Sequence, residues 1–173
     1  MDNSLYFKKG DEILQNNDRI FLIETMEKEF NNKNIDFFTK LLRHNDHVIR
    51  TRSVCILANI AGEESVWPIS LVLLQDPDEL VRHEAAFSLG QLGFTSGINA
   101  LCKALKTDPS FIVRHEAAIA LGVVGSEKAR KPLEEALLDS SEEVKKSALV
   151  ALVNLDYISK IKKTNKFTQM IGG

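Results

Sequence analysis

Cysteine is scarce in this sequence. Only Cys55 and Cys102 occur in 173 residues, 47 apart in apolar surroundings and with no CxxC pair. That pattern excludes a zinc ribbon and a disulfide framework, and reads as two reduced core residues. The first residues, MDNSLYFKKGDEILQNN, carry acids and no apolar h-region, so no secretory signal is expected. No apolar run approaches the ~18 residues that a membrane span needs. Charge of one sign is lacking too. Twenty-two basic residues face 24 acidic ones, which leaves no global field to attract nucleic acid or an anionic membrane. GxSxG, GxGxxG and P-loop patterns are absent, so nucleophilic hydrolysis and nucleotide binding have no support. Strand-type alternation is missing throughout. These absences lead to the expectation of a cytoplasmic helical protein.

What the sequence does contain is a repeat. VRHEAAFSLGQLG (81–93) returns 32 places later as VRHEAAIALGVVG (113–125). Four copies align on it: DHVIRTRSVCILANIA (46–61), DELVRHEAAFSLGQLG (78–93), SFIVRHEAAIALGVVG (110–125) and SEEVKKSALVALVNLD (141–156), at offsets of 32, 32 and 31. A period of this length is the signature of stacked units that cannot bury their apolar faces alone. Asp46, Asp78, Ser110 and Ser141 open the copies and are expected to cap helices. Asp76-Pro77 and Asp108-Pro109 read as turns. Apolar residues follow at helical spacing, for example Val81, Ala85, Phe87, Leu89 and Leu92.

Ala85, Ala86, Ala117 and Ala118 allow neighbouring helices to approach closely. Gly90, Gly93, Gly122 and Gly125 suit the thin end of a helix and its stop. A second helix follows in each unit (VWPISLVLLQ, INALCKALKT, RKPLEEALLD), with Pro68 and Pro132 in its first turn and Trp67 as an expected core anchor. Upstream, RIFLIETMEKEF (19–30) and IDFFTKLLRH (35–44) read as a degenerate terminal pair. The expected fold is all-α, an α-solenoid of helical hairpins about four and a half repeats long. It is expected to form one domain over 1–158, with units at 17–45, 46–75, 76–107, 108–139 and a partial one at 140–158. A basic, flexible tail is expected over 159–173.

One polar pair breaks the uniformity. Ile49-Arg50, Val81-Arg82, Val113-Arg114 and Val144-Lys145 keep one character through all four copies, and Arg82 and Arg114 read as scaffold that bonds acidic caps or carbonyls of the adjoining turn. His83-Glu84 and His115-Glu116 occur only in the middle two, where the flanking copies have Thr51-Arg52 and Lys146-Ser147. A residue needed for stacking should recur throughout, so the insert reads as an addition to the scaffold.

Stacked helices lie ~8–10 Å apart. His83 and His115 could therefore converge on one ion with metal–nitrogen bonds of ~2.0–2.2 Å. Glu84 and Glu116, one residue on, point about 100° around their helices and are expected to be poorly placed to complete that ion's shell within the chain. A two-fold homodimer would let glutamates reach across, giving two equivalent metals, each with two imidazoles and a carboxylate. That set leaves open positions on non-haem iron for O2, though manganese and zinc also suit it. His44 and His47 do not repeat and read as exposed loop histidines. A protein-binding scaffold without chemistry, or metal binding without turnover, is the alternative.

The pattern DxxVRxxAAxALGxxG resembles HEAT-like repeats over residues 46–156, particularly those of bilin lyases. Two VRHEAA-type motifs one repeat apart resemble half of the deoxyhypusine hydroxylase family, HEAT-repeat enzymes with four such motifs and a dinuclear iron centre. The resemblance implies that His83 and His115 bind iron, that Glu84 binds the iron of the opposing chain, and that Glu116 is a catalytic residue facing the substrate amine. It further implies two Fe per homodimer, activation of O2, and hydroxylation of an aliphatic carbon on an amine or lysine-derived substrate. With two motifs in place of four, activity would depend on the homodimer.

Overall fold

Two aspartates start the repeated helices. Asp46 accepts the backbone N–H of Val48 at 2.9 Å, and Asp78 accepts those of Leu80 and Val81 at 2.8 and 3.3 Å. A computed structural model describes residues 19–164. Helix α1 covers 19–31. It is followed by α2 (Ile35–Leu41), α3 (His47–Ile60), α4 (Val66–Gln75), α5 (Glu79–Leu92), α6 (Ile98–Thr107), α7 (Phe111–Val124), α8 (Arg130–Ala136) and α9 (Glu142–Thr164). Short 3-10 turns precede α4, α6 and α8. Ser110 holds the N-cap position of α7 but makes no side-chain cap bond, and the Ser141 hydroxyl donates to the Glu143 carboxylate, so the expected serine caps do not form. None of the helices described is long and apolar enough to cross a membrane.

Pairs α1–α2, α3–α4, α5–α6 and α7–α8, with α9 left over, make an α-solenoid of about four and a half repeats. The first helices form one row, α3 on α5, α5 on α7 and α7 on α9, while α4, α6 and α8 form the other. Val81, Ala85 and Leu89 are buried between the rows, as are Val113, Ala117 and Leu121. Phe87 departs from this stripe: it is 41% exposed, because position 87 lies one turn beyond His83 on the outer side. Trp67 is also not a core anchor. Val66, Ile69 and Leu73 take the inner face of α4 and leave the indole 72% exposed. Cys55 is exposed and Cys102 half-buried, both free, so the cysteines are not the core pair expected.

Glycines fix the ends and the spacing of the row. Gly93 and Gly125 stop α5 and α7 in the left-handed conformation, at φ 69° and 66°. Gly90 and Gly122 permit contact instead: a Cβ on Gly122 would stand 2.9 Å from the Cα and Cβ of Ala151 on α9. Copy four has Asp156 where copies two and three carry the stop glycine, and α9 runs on through Thr164. The helix thus passes the expected boundary at 158, and the rest of the basic segment lies outside the described residues.

One clasp recurs along the stack, tying α3, α5 and α7 each to the aspartate that follows the next helix. Arg50 holds Asp76 through two bonds of 2.7 and 2.8 Å, Arg82 holds Asp108 at 2.7 and 2.9 Å, and Arg114 holds Asp139 at 2.8 and 2.9 Å. Each guanidinium also donates to carbonyls of the preceding turn, such as Asp76 and Pro77 for Arg82. Each aspartate in turn accepts the N–H two residues on, at Asp78, Ser110 and Ser141. The scaffold role expected of Arg82 and Arg114 is what they perform.

Two outcomes follow for stability. Asp108→Ala strands a buried guanidinium and is expected to cost about 3 kcal/mol, a Tm drop of roughly 6–12 °C by calorimetry. Gly122→Ala should destabilise by about 1–3 kcal/mol in denaturant unfolding, despite the better helix propensity of alanine, because the added methyl meets backbone.

Candidate functional site

Residues that align in sequence do not meet in space; unlike positions do. His83 on α5 lies against Glu116 on α7, with Nε2 3.4 Å from Oε2. The histidine side chain is 35% exposed, whereas the carboxylate side chain is 9% exposed. His115 on α7 repeats the step toward α9, its Nδ1 2.8 Å from Ser147 Oγ and 3.5 Å from the Glu143 carbonyl. Glu84 steps back toward α3 instead and accepts from Cys55 Sγ at 3.0 Å. The glutamate position of each unit therefore packs diagonally against the preceding unit.

This corrects the geometric expectation for Glu116. A 100° turn does separate it from His115 on its own helix, but the neighbouring helix brings it to His83. Glu84 faces Cys55. Cys55 and Ser147 are the members that pattern reading missed. Ser147 carried a signal, because it occupies the glutamate position of the fourth copy. Cys55 carried none beyond sharing the register of Phe87.

Electrostatics follows from these contacts. The bond to Glu116 raises the His83 pKa above its usual value of 6.5, against the opposing effect of burial and with help from the charges of Glu116 and Glu84. Burial first, and the Glu84 carboxylate second, push the Cys55 thiol up to about 12. It is therefore an un-ionised donor to Glu84, not a nucleophile or thiolate ligand.

The other two histidines are not both the exposed loop residues expected, since His44 is half-buried and His47 is the first residue of α3. The His44 Nδ1 accepts the N–H of Asp46 at 3.0 Å; His47 is exposed, 3.3 Å from Asp78. Among the described residues, no group of three or more His, Cys, Asp or Glu side chains is arranged to hold a metal ion. Two surface hollows, of about 230 and 750 Å3, lie between α4 and α6 and between α2 and α4, and neither is lined by His83, Glu84, His115 or Glu116.

Because its folded pKa is raised, the stabilisation from the His83–Glu116 contact is fully present below the unfolded value and is lost as pH rises through the higher folded value. In an NMR titration of the ring protons, Glu116→Gln should move the His83 midpoint down toward 6.5. A midpoint that stays put would show that the carboxylate is not the cause.

The HEAT repeats family pattern matches residues 68–153. No curated protein matches the sequence. Among solved structures, human deoxyhypusine hydroxylase in complex with glycerol superposes with a TM-score of 0.70 at 24% identity, over 87% of this chain and 51% of that one. The complex of CpcE and CpcF of phycocyanin lyase from Nostoc sp. gives 0.61 at 21% identity, over 79% and 59%. A designed armadillo repeat protein in complex with the peptide (KR)4 gives 0.53 at 22% identity, over 85% and 80%. The chain spans about half the length of the human hydroxylase, and identities this low speak for the fold alone. Repeat pattern, helical stack and neighbours agree: the chain is a HEAT-like repeat protein that resembles one half of deoxyhypusine hydroxylase.

Proposed function

We propose that the chain forms half of a dinuclear non-haem iron hydroxylase, completed by a second copy of itself. It would use O2 to hydroxylate an aliphatic carbon of an amine or lysine-derived substrate. The observation that carries this reading is the pair of His-Glu insertions on α5 and α7, adjacent helices of one row, confined to the two middle repeats.

The donors fit iron in kind. Imidazole and carboxylate are its usual protein ligands, and the His115 ring has one nitrogen engaged by the neighbouring helix, as metal-binding histidines do. In number they fall short of a shell within one chain, which is what a homodimer would remedy. His83 and His115 would hold one iron, and Glu84 would release Cys55 to reach the iron of the second copy. Bound iron would supply the activation of O2.

Glu116 would face the substrate amine. A His83 ring bonded through Nε2 has no proton there to give, and the buried carboxylate is then left to accept from an ammonium group. Exposed Phe87 and Ile119, one turn beyond the histidines, offer apolar surface for a second copy to cover.

That same surface also suits a second reading, a docking scaffold without chemistry, as the complexes among the structural neighbours illustrate. Metal analysis with a solution mass separates the two. Protein purified from iron-replete cells should hold about one iron per chain and run as a dimer, and His83→Ala or His115→Ala should remove the metal with helicity unchanged. A metal-free, strictly monomeric chain overturns the enzyme reading.

A further inference from the structure

We infer that Ser147 is a positioning residue for His115: it fixes the ring in the tautomer protonated at Nδ1 and keeps Nε2 as a lone-pair donor. The inference rests on the iron reading only for its consequence, not for its geometry. Ser147 is 8% exposed on α9, with its Oγ 2.8 Å from His115 Nδ1 and 2.9 Å from the Glu143 carbonyl. A hydroxyl has one hydrogen to give. The carbonyl can only accept, and it stands within bonding distance of Oγ, so the hydroxyl hydrogen goes there in the ordinary back-bond of a helical serine. Toward His115 the oxygen then has only lone pairs to offer. The second atom near Nδ1, the same Glu143 carbonyl at 3.5 Å, is an acceptor as well. Two acceptors facing one ring nitrogen require that nitrogen to carry the proton. In the neutral ring, Nε2 is then bare.

The contrast with His83 shows why a serine matters at this position. In the preceding unit the longer glutamate reaches Nε2, and a carboxylate there requires the proton on Nε2. Serine is too short for that and meets Nδ1 instead. The substitution of Ser147 for glutamate in the fourth copy thus reverses the tautomer of the histidine it supports. The two rings are not equivalent: His115 can ligate a cation without moving a proton, and His83 cannot. Outer contacts of this kind usually contribute 10–100-fold to metal affinity.

The test uses the full-length chain, metal-free and then with ferrous ion under anaerobic conditions. At a pH of about 8, where ordinary imidazoles are neutral, nitrogen–proton correlation spectra of the metal-free wild type should show His115 protonated at Nδ1. Ser147→Ala should give a mixture of tautomers, and Ser147→Thr, which keeps the hydroxyl, should restore the wild-type signature. Ferrous affinity should fall about 10–100-fold in Ser147→Ala and recover in Ser147→Thr. A wild-type ring protonated at Nε2, or an alanine variant with an unchanged tautomer, overturns the inference. The same tautomer shift in a chain that never takes up ferrous ion would uphold Ser147 and overturn the iron reading. Tight ferrous binding that is indifferent to Ser147 would do the reverse.

Discussion

The bidentate clasp between an arginine of each of α3, α5 and α7 and the aspartate that follows the next helix sets the geometry of everything built on the solenoid. A planar guanidinium held at both ends, with two backbone carbonyls on its Nη1 hydrogens, has one orientation. Arg82 and Arg114 sit in the first turns of α5 and α7 and immediately precede His83 and His115. Fixing the arginine therefore fixes the rotation of the helix, and the next residue emerges at the same angle in each unit. The clasp stops with the array. Lys145, at the arginine position of copy four, pairs with its own neighbour Glu142 on the exposed surface.

Most of this architecture was legible in the sequence because the stack is periodic. Helix pairs, aspartate turns, proline positions and the glycine stops all recur at about one period, and each has a local physical cause. The errors of burial share one origin, which is equating apolar with buried. Cys55 and Phe87 occupy the same register and both look outward, while Trp67 lies between the inner-face residues Val66 and Ile69. Alignment compares like positions, but the site contacts join unlike ones: Glu116 with His83, Ser147 with His115, Glu84 with Cys55. A stagger between stacked helices has no trace in a register of identical residues. It emerges only when the small residues on the facing sides set how closely the helices approach.

The fold itself has no need of the His-Glu insertions. In copy one, Thr51 takes the histidine position and bonds its own helix at the His47 carbonyl, and Arg50 clasps Asp76 as its equivalents do. In copy four, exposed Lys146 stands at that position while α9 packs on α7 without it. Stacking is complete with threonine, with lysine or with histidine there.

Glu116 makes the point from the other side. A carboxylate with a 9% exposed side chain carries a desolvation cost that its contact with a half-exposed imidazole has to offset. Arginine at the equivalent position, Arg52, is exposed and incurs no such cost. Retaining a buried acid beside His83, and a second histidine whose free nitrogen is set by Ser147, places the polarity of the two middle repeats outside what packing requires. On the proposed reading, that polarity is what would meet a cation or an amine.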